Sequence, residues 1–181
     1  LGLAVFKETG GAARQWTAAK ASANNASVVG IDGLTLVASD VSVAINRAAS
    51  DSSVADFAGS NKLTIQTGTA GAASSIDLDM AASLGALTQI SAAVDIDVFG
   101  SLLAHGTITL QKSSGTVSVG GSSISAGELL IGANNLNMFV GVGGAWSAGT
   151  SAYTGTGVNV TGLKLGLAVF KETGGAARQW T

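Results

Sequence analysis

Along most of this chain apolar and polar residues alternate with a period of two, the signature of strands with one face buried. The run Leu34-Thr35-Leu36-Val37 leads into Val41-Ser42-Val43-Ala44-Ile45-Asn46. Leu63-Thr64-Ile65-Gln66, Ile76-Asp77-Leu78-Asp79-Met80 and Val94-Asp95-Ile96-Asp97-Val98 alternate in the same way. So do 107–112, 116–119, 129–131, 136–142 and 158–160, and a last run over 163–170 brings the number of predicted strands to about ten. Between the runs lies turn chemistry. Ser113-Ser114-Gly115 predicts a hairpin, 68–75 a longer loop, and Gly120-Gly121 and Gly143-Gly144 further turns. Asn24-Asn25 and Asn134-Asn135 suit positions of positive φ. Residues 12–23 are Ala-rich, but the Gly pair before them and the Asn pair after them fit a strand better than a helix. Residues 80–93 fit a short helix and a strand equally well.

A second pattern overrides the local one. Residues 1–17, LGLAVFKETGGAARQWT, return letter for letter as 165–181. Packing alone would conserve the hydrophobic pattern and not every surface residue, so the identity records a duplicated and homogenised coding sequence. The chain divides into one full period, 1–164, and the start of the next, 165–181, and reads as a piece of a longer array. No Pro-rich, Ser-rich or charged linker marks the boundary. It runs instead through an alternating strand, and Leu163, Leu165, Leu167, Val169, Phe170 and Trp180 are the expected seam between units. The expected fold is all-β: an elongated tandem-repeat structure, either a β-solenoid or a continuous sheet stack. A discrete antiparallel β-sandwich in each period is the alternative.

Composition narrows the function. Charged residues are 11% of the chain, against roughly 25% in an average soluble domain. Net charge is −2 and no basic patch exists, so nucleic acid is not an expected partner. The apolar runs are too short for a transmembrane helix. With no Cys, disulfides and thiolate chemistry are excluded.

Few residues carry candidate chemistry. Asp77 and Asp79 share one face of a strand, and so do Asp95 and Asp97. Brought together, these four carboxylates would suit Ca²⁺, which takes oxygen ligands. Kept apart, they are solvated strand faces near Lys62 or Lys112, and no calcium-loop motif accompanies them. Trp146 and Tyr153 could stack against a glycan. Trp16 recurs as Trp180, and Arg14 or Lys171 could add a cation–π contact to it. His105 is the only histidine and sits in no nucleophile motif, so it is expected at a turn or strand end, and no enzyme is predicted.

The stretch 29–39 (VGIDGLTLVAS), with VAINR at 43–47, DVFG at 97–100, LQKSS at 110–114 and FVGV at 139–142, resembles the long repeats of giant bacterial surface and adhesin-like proteins. That resemblance implies an exported, elongated array at the cell surface with a mechanical or adhesive role, and no catalytic residue. Such relatives can carry Asp-rich insertions after the Phe-Val-Gly-Val strand; here 143–157 contains no acid. Two functions are therefore expected from different classes. One is a structural repeat of an extracellular fibre, filament or adhesin stalk, with identical repeats as partners and lateral self-association. The other is a multivalent binding module with a glycan or Ca²⁺ site in each repeat.

Overall fold

Small and β-branched residues at alternate positions fit a pleated surface and leave little to pack around a helix. The computed structural model of the chain, which describes residues 1–69, 72–173 and 178–181, is accordingly all-β. Its strands are β1 (Gly2–Lys7), β2 (Gln15–Val28), β3 (Leu34–Arg47), β4 (Leu63–Gln66), β5 (Ser75–Leu78), β6 (Leu87–Val98), β7 (Leu102–Val119), β8 (Ser122–Ser147), β9 (Ala152–Glu172) and β10 (Gln179–Trp180). Eight of them form one open sheet in the order β1-β2-β3-β6-β7-β8-β9-β10, and β4 pairs with β5 in a separate hairpin. Every ladder is antiparallel among the described residues.

Several sequence expectations need correction. Ser113-Ser114-Gly115 lies inside β7 and makes no turn. Alternation continues through it because Ser113 points inward and donates to Glu128 across the ladder (3.2 Å). The chain reverses instead at Gly120 and Gly121, both at positive φ (58° and 81°), as a two-residue hairpin turn requires. Asn24 and Asn25 likewise sit within β2, whereas Asn135 does take positive φ (50°), in the bulge between β7 and β8. The segment 80–93 forms a single 3₁₀ turn, Ala82–Leu84, followed by β6. The 68–75 loop is described except at 70–71, which lie outside the described residues.

The two faces of the large sheet differ sharply. One cross-strand row reads Ala21-Val43-Ile90-Leu110-Ile131-Leu167 and is wholly aliphatic. On this outer face Leu3, Val5, Ile90, Val140, Val160, Leu165 and Leu167 are exposed. The inner face carries the row Gly2-Lys20-Ala44-Gln89-Gln111-Leu130-Ala168, which mixes small, polar and apolar side chains. Both hydrophobic cores lie on this inner face. The first forms where the 48–86 insertion between β3 and β6 folds over β1 and β2, burying Ala18, Ala44, Phe57, Leu78, Met80 and Leu87. Buried Asn46 anchors it by donating to the Ala55 carbonyl (2.8 Å).

The second core lies towards the other end of the strands and comprises Leu103, Phe139 and Tyr153, with Trp146 against it. Here the β8–β9 hairpin folds back over the face of its own sheet. The Gly144 N–H bonds the Gly100 carbonyl in the β6–β7 turn (3.1 Å), at the point where the hairpin bends. The bend encloses the Phe139 ring: a Cβ on Gly141, Gly144 or Gly155 would approach that ring to 2.7, 2.6 or 2.8 Å. Only glycine lets the main chain come this close.

Candidate functional site

The fold-back hairpin assembles a site that the sequence leaves as two unrelated candidates. Asp95 and Asp97 alternate on β6 and therefore point to the same, inner face. Across the β6–β7 hairpin Asp95 pairs with His105 and Asp97 with Leu103; on the next strand Asn137 lies opposite His105 and Phe139 opposite Leu103. The tip of the β8–β9 hairpin then brings Trp146 and Tyr153 onto this patch from above. They are cross-strand partners and pack edge to face, 5.0 Å between ring centroids. Trp146 also stacks on the His105 imidazole at 4.3 Å, and Tyr153 meets Phe139 at 6.2 Å.

The polar groups are fixed by local bonds. His105 Nδ1 is hydrogen-bonded to the Asp95 carboxylate. Asp97 accepts from the Gly100 N–H (2.7 Å), which holds the β6–β7 turn. Asn137 donates to the Asn135 carbonyl and accepts from the Gly162 N–H, each at 3.0 Å, tying the bulges of β8 and β9 together. Tyr153 is buried, and that burial, together with the nearby charges of Asp95 and Asp97, pushes its hydroxyl up to about 12. Two open grooves flank Trp146. The larger, about 560 Å³, is lined by His105, Thr107, Asn135, Asn137, Ser151 and Thr161. The smaller, about 290 Å³, runs between the hairpin and Thr35, Asp95 and Asp97. Aromatic faces, a carboxylate–imidazole pair and amides at one rim suit a polar, ring-bearing ligand. His105 makes no hydrogen bond to a hydroxyl group among the described residues.

The other acidic pair lies elsewhere. Asp77 is on β5, accepting from Thr64 (2.6 Å) and Lys62 (2.9 Å), which hold its carboxyl below the usual range. Asp79, just past β5, is gripped by Lys20 through both oxygens at 2.8 Å. The four aspartates thus form no common patch, and no three His, Asp or Glu side chains converge among the described residues. They do not gather the roughly six to eight oxygens that Ca²⁺ takes.

The seam residues fall where the repeat places them. Leu163, Leu165, Leu167, Val169 and Phe170 lie on β9, and Trp180 on β10 opposite Phe170. Both copies of the repeated peptide show the same antiparallel pairing, with Phe6 opposite Trp16 and Phe170 opposite Trp180; 174–177 lie outside the described residues. In each, an arginine forks onto a glutamate: Arg14 onto Glu8 at 3.0 and 2.7 Å, Arg178 onto Glu172 at 2.8 and 3.1 Å. Each arginine also lies over the neighbouring indole, at 5.2 Å for Trp16 and 5.4 Å for Trp180. This fork lowers both glutamate carboxyls and raises both guanidinium groups.

His105 and Asn137 are the site residues that sequence reasoning passes over. His105, expected at a turn or strand end, is the fourth residue of β7. Folding 94–98 against 102–106 about the Phe99-Gly100 turn would have placed it opposite Asp95. Comparison with known proteins finds no matching family model, no similar curated protein and no matching solved structure.

Proposed function

We propose that this chain is a structural repeat of an extracellular bacterial fibre, filament or adhesin stalk, in which each period adds strands to one continuous antiparallel sheet. The double role of β9 carries this reading. Its residues 165–172 repeat 1–8, and Phe170 and Lys171 pair with β10 as Phe6 and Lys7 pair with β2. The same residues pair with β8 from Ala126↔Glu172 to Ala133↔Leu165. A strand that closes one unit and opens the next leaves no place for a linker.

Antiparallel ladders favour a sheet that grows sideways over a coiled solenoid, and a ladder crossing the period boundary weighs against a separate sandwich in each repeat. From β1 to its counterpart β9 the sheet gains six strands, β2, β3, β6, β7, β8 and β9, an even number that keeps the two in the same direction. At about 4.8 Å per strand, each period would lengthen the ribbon by about 29 Å. The inner-face row that leaves Gly2 arrives on Ala168, the counterpart of Ala4, so the ribbon also shears by two residues, about 7 Å, per period. The exposed aliphatic outer face supports lateral packing of two ribbons. Homogenised repeats and the resemblance to surface-protein repeats support the extracellular location.

A second reading, a ligand bound in every repeat, rests on the half-buried Trp146 beside the His105–Asn137 groove. Neither reading gives the chain a catalytic role. Electron microscopy of a chain carrying four to eight periods tests the first. An unbroken ribbon lengthening by about 29 Å per period is expected; beads joined by slack chain would overturn it.

A further inference from the structure

We infer that the open apolar groove formed by β7, β8 and β9 is the socket for the 48–86 insertion of the following repeat, so that a second copy of this chain's β4–β5 hairpin clasps the seam. The inference rests on the continuous-sheet reading and adds to it a specific occupant. The groove, about 410 Å³, is lined by Thr109, Gln111, Leu130, Gly132, Gly166 and Ala168 among others. Gly166 and Ala168 are the counterparts of Gly2 and Ala4.

The occupant is visible on the first copy of the repeated peptide. There Ala4 packs against the first core, and a Cβ on Gly2 would strike Ile76 at 2.4 Å and Ile65 at 3.2 Å. Phe6 meets Phe57 at 6.0 Å, Trp16 donates to the Ser53 hydroxyl (3.0 Å), and Arg14 bonds Asp51 (2.8 Å). All five covering residues belong to the insertion. The second copy presents the same glycine, alanine, phenylalanine, tryptophan and arginine without that cover. A Cβ on Gly166 meets nothing within 4 Å, and the Arg178 side chain is 58% exposed against 33% for Arg14.

The fit is incomplete from both sides. Ile65 and Ile76 stay only half-buried although they face the sheet. Beyond β1, where this chain has no further strand, an array would place the preceding unit's β8, with its Leu130 and Gly132. The hairpin seated on the shared strand would then touch residues of two units. Side-chain packing would join main-chain pairing at each seam, and both would be lost together at the end of an array.

One substitution made in two contexts tests this. In the 181-residue chain Gly2→Leu should lower the melting temperature by roughly 5 °C, since it overpacks the insertion, and Gly166→Leu should leave it unchanged. In a chain extended by a complete second copy, Gly166→Leu should cost as much as Gly2→Leu. Cysteines at Gly166 and at the second copy's Ile76 should also form a disulfide under mild oxidation. An unbroken ribbon in which Gly166→Leu is neutral and no disulfide forms would overturn the socket alone. Separate beads would overturn the array as well.

Discussion

Replacing Phe139 with Ala tests whether the β8–β9 hairpin is held over the sheet by the second core. Phe139 is 2% exposed and is the most deeply buried side chain in that cluster. Truncating a buried phenylalanine costs about 3–5 kcal/mol, the spread depending on how far the walls can collapse. Here the walls are poor at collapsing. On one side they are the main chain of Gly141, Gly144 and Gly155, which carry no side chain to swing inward. On the other they are Leu103 and Tyr153, each already packed. The loss should therefore fall in the upper half of the range, about 4 kcal/mol, or roughly 10 °C in melting temperature for a chain of this size. Trp146 reports the hairpin directly once Trp16 and Trp180 are replaced by Phe. Its emission should shift to the red as it leaves His105 and Tyr153. Val142→Ala, on the exposed outer face at 76%, should change stability by less than about 0.5 kcal/mol. A Phe139→Ala loss below about 1 kcal/mol, or an unshifted Trp146 emission, would refute the fold-back core.

Two further expectations concern pH. Tyr153 is the only tyrosine, so its near-ultraviolet ionisation can be read without interference. It should titrate at about 12 and not near 10; a raised folded value means that its contribution to stability holds below pH 10 and is lost as pH rises through 12. Asp95→Asn with Asp97→Asn should lower that titration point, and a midpoint near 10 in the folded wild type would contradict the burial of the hydroxyl. At acid pH the sign reverses. Hydrogen bonds from Ser53 and Arg14 hold the Asp51 carboxyl at about 2, and those from Ala82 and Ala58 and from Thr64 and Lys62 lower Asp56 and Asp77. Depressed folded values give stability that is present above about pH 4 and drains away as pH falls towards 2. Melting temperature should be flat from pH 7 to about 5 and fall steeply below 4, less so in Asp51→Asn; a curve flat down to pH 2 would remove these carboxylates from the stability of the fold.

The strands were legible because alternation is a local property. The runs over 34–46, 63–66, 94–98 and 163–170 all lie within strands of the structure. Their lengths were harder to read, since a bulge breaks the alternation without ending the strand. At Asp40 and Asn135, both at positive φ, one predicted run ends and another begins while the ladder continues, and at Gly143, also at positive φ, the predicted run stops although β8 goes on to Ser147. The Asp ladders and the aromatic pair each stand out in the sequence as candidates, but their union does not. Asp95 and Trp146 come to line one groove because the β8–β9 hairpin bends at Gly143-Gly144, and a glycine pair in a sequence states that a bend is allowed without stating its direction. The Lys62–Asp77 and Arg14–Trp16 contacts, by contrast, follow from hairpin neighbourhood and were anticipated.

On the continuous-sheet model the strand shared between periods carries a double demand. Most strands of a sheet must satisfy two neighbours and two faces drawn from one domain. A strand shared between periods must satisfy β8 of one unit through one edge and β2 of the next through the other. Its outer face, Leu165, Leu167 and Val169, must continue the aliphatic row of the first unit. Its inner face, Gly166, Ala168 and Phe170, must accept the insertion of the second. A residue larger than glycine at 166 would suit this unit, where nothing lies within 4 Å, and would fail in the next, where Ile76 closes in on its counterpart. The hairpin that follows locks the same segment a third time, through the Glu–Arg fork and the indole beneath it. A substitution here is thus tested by two units at once, and an array repeats that test at every seam.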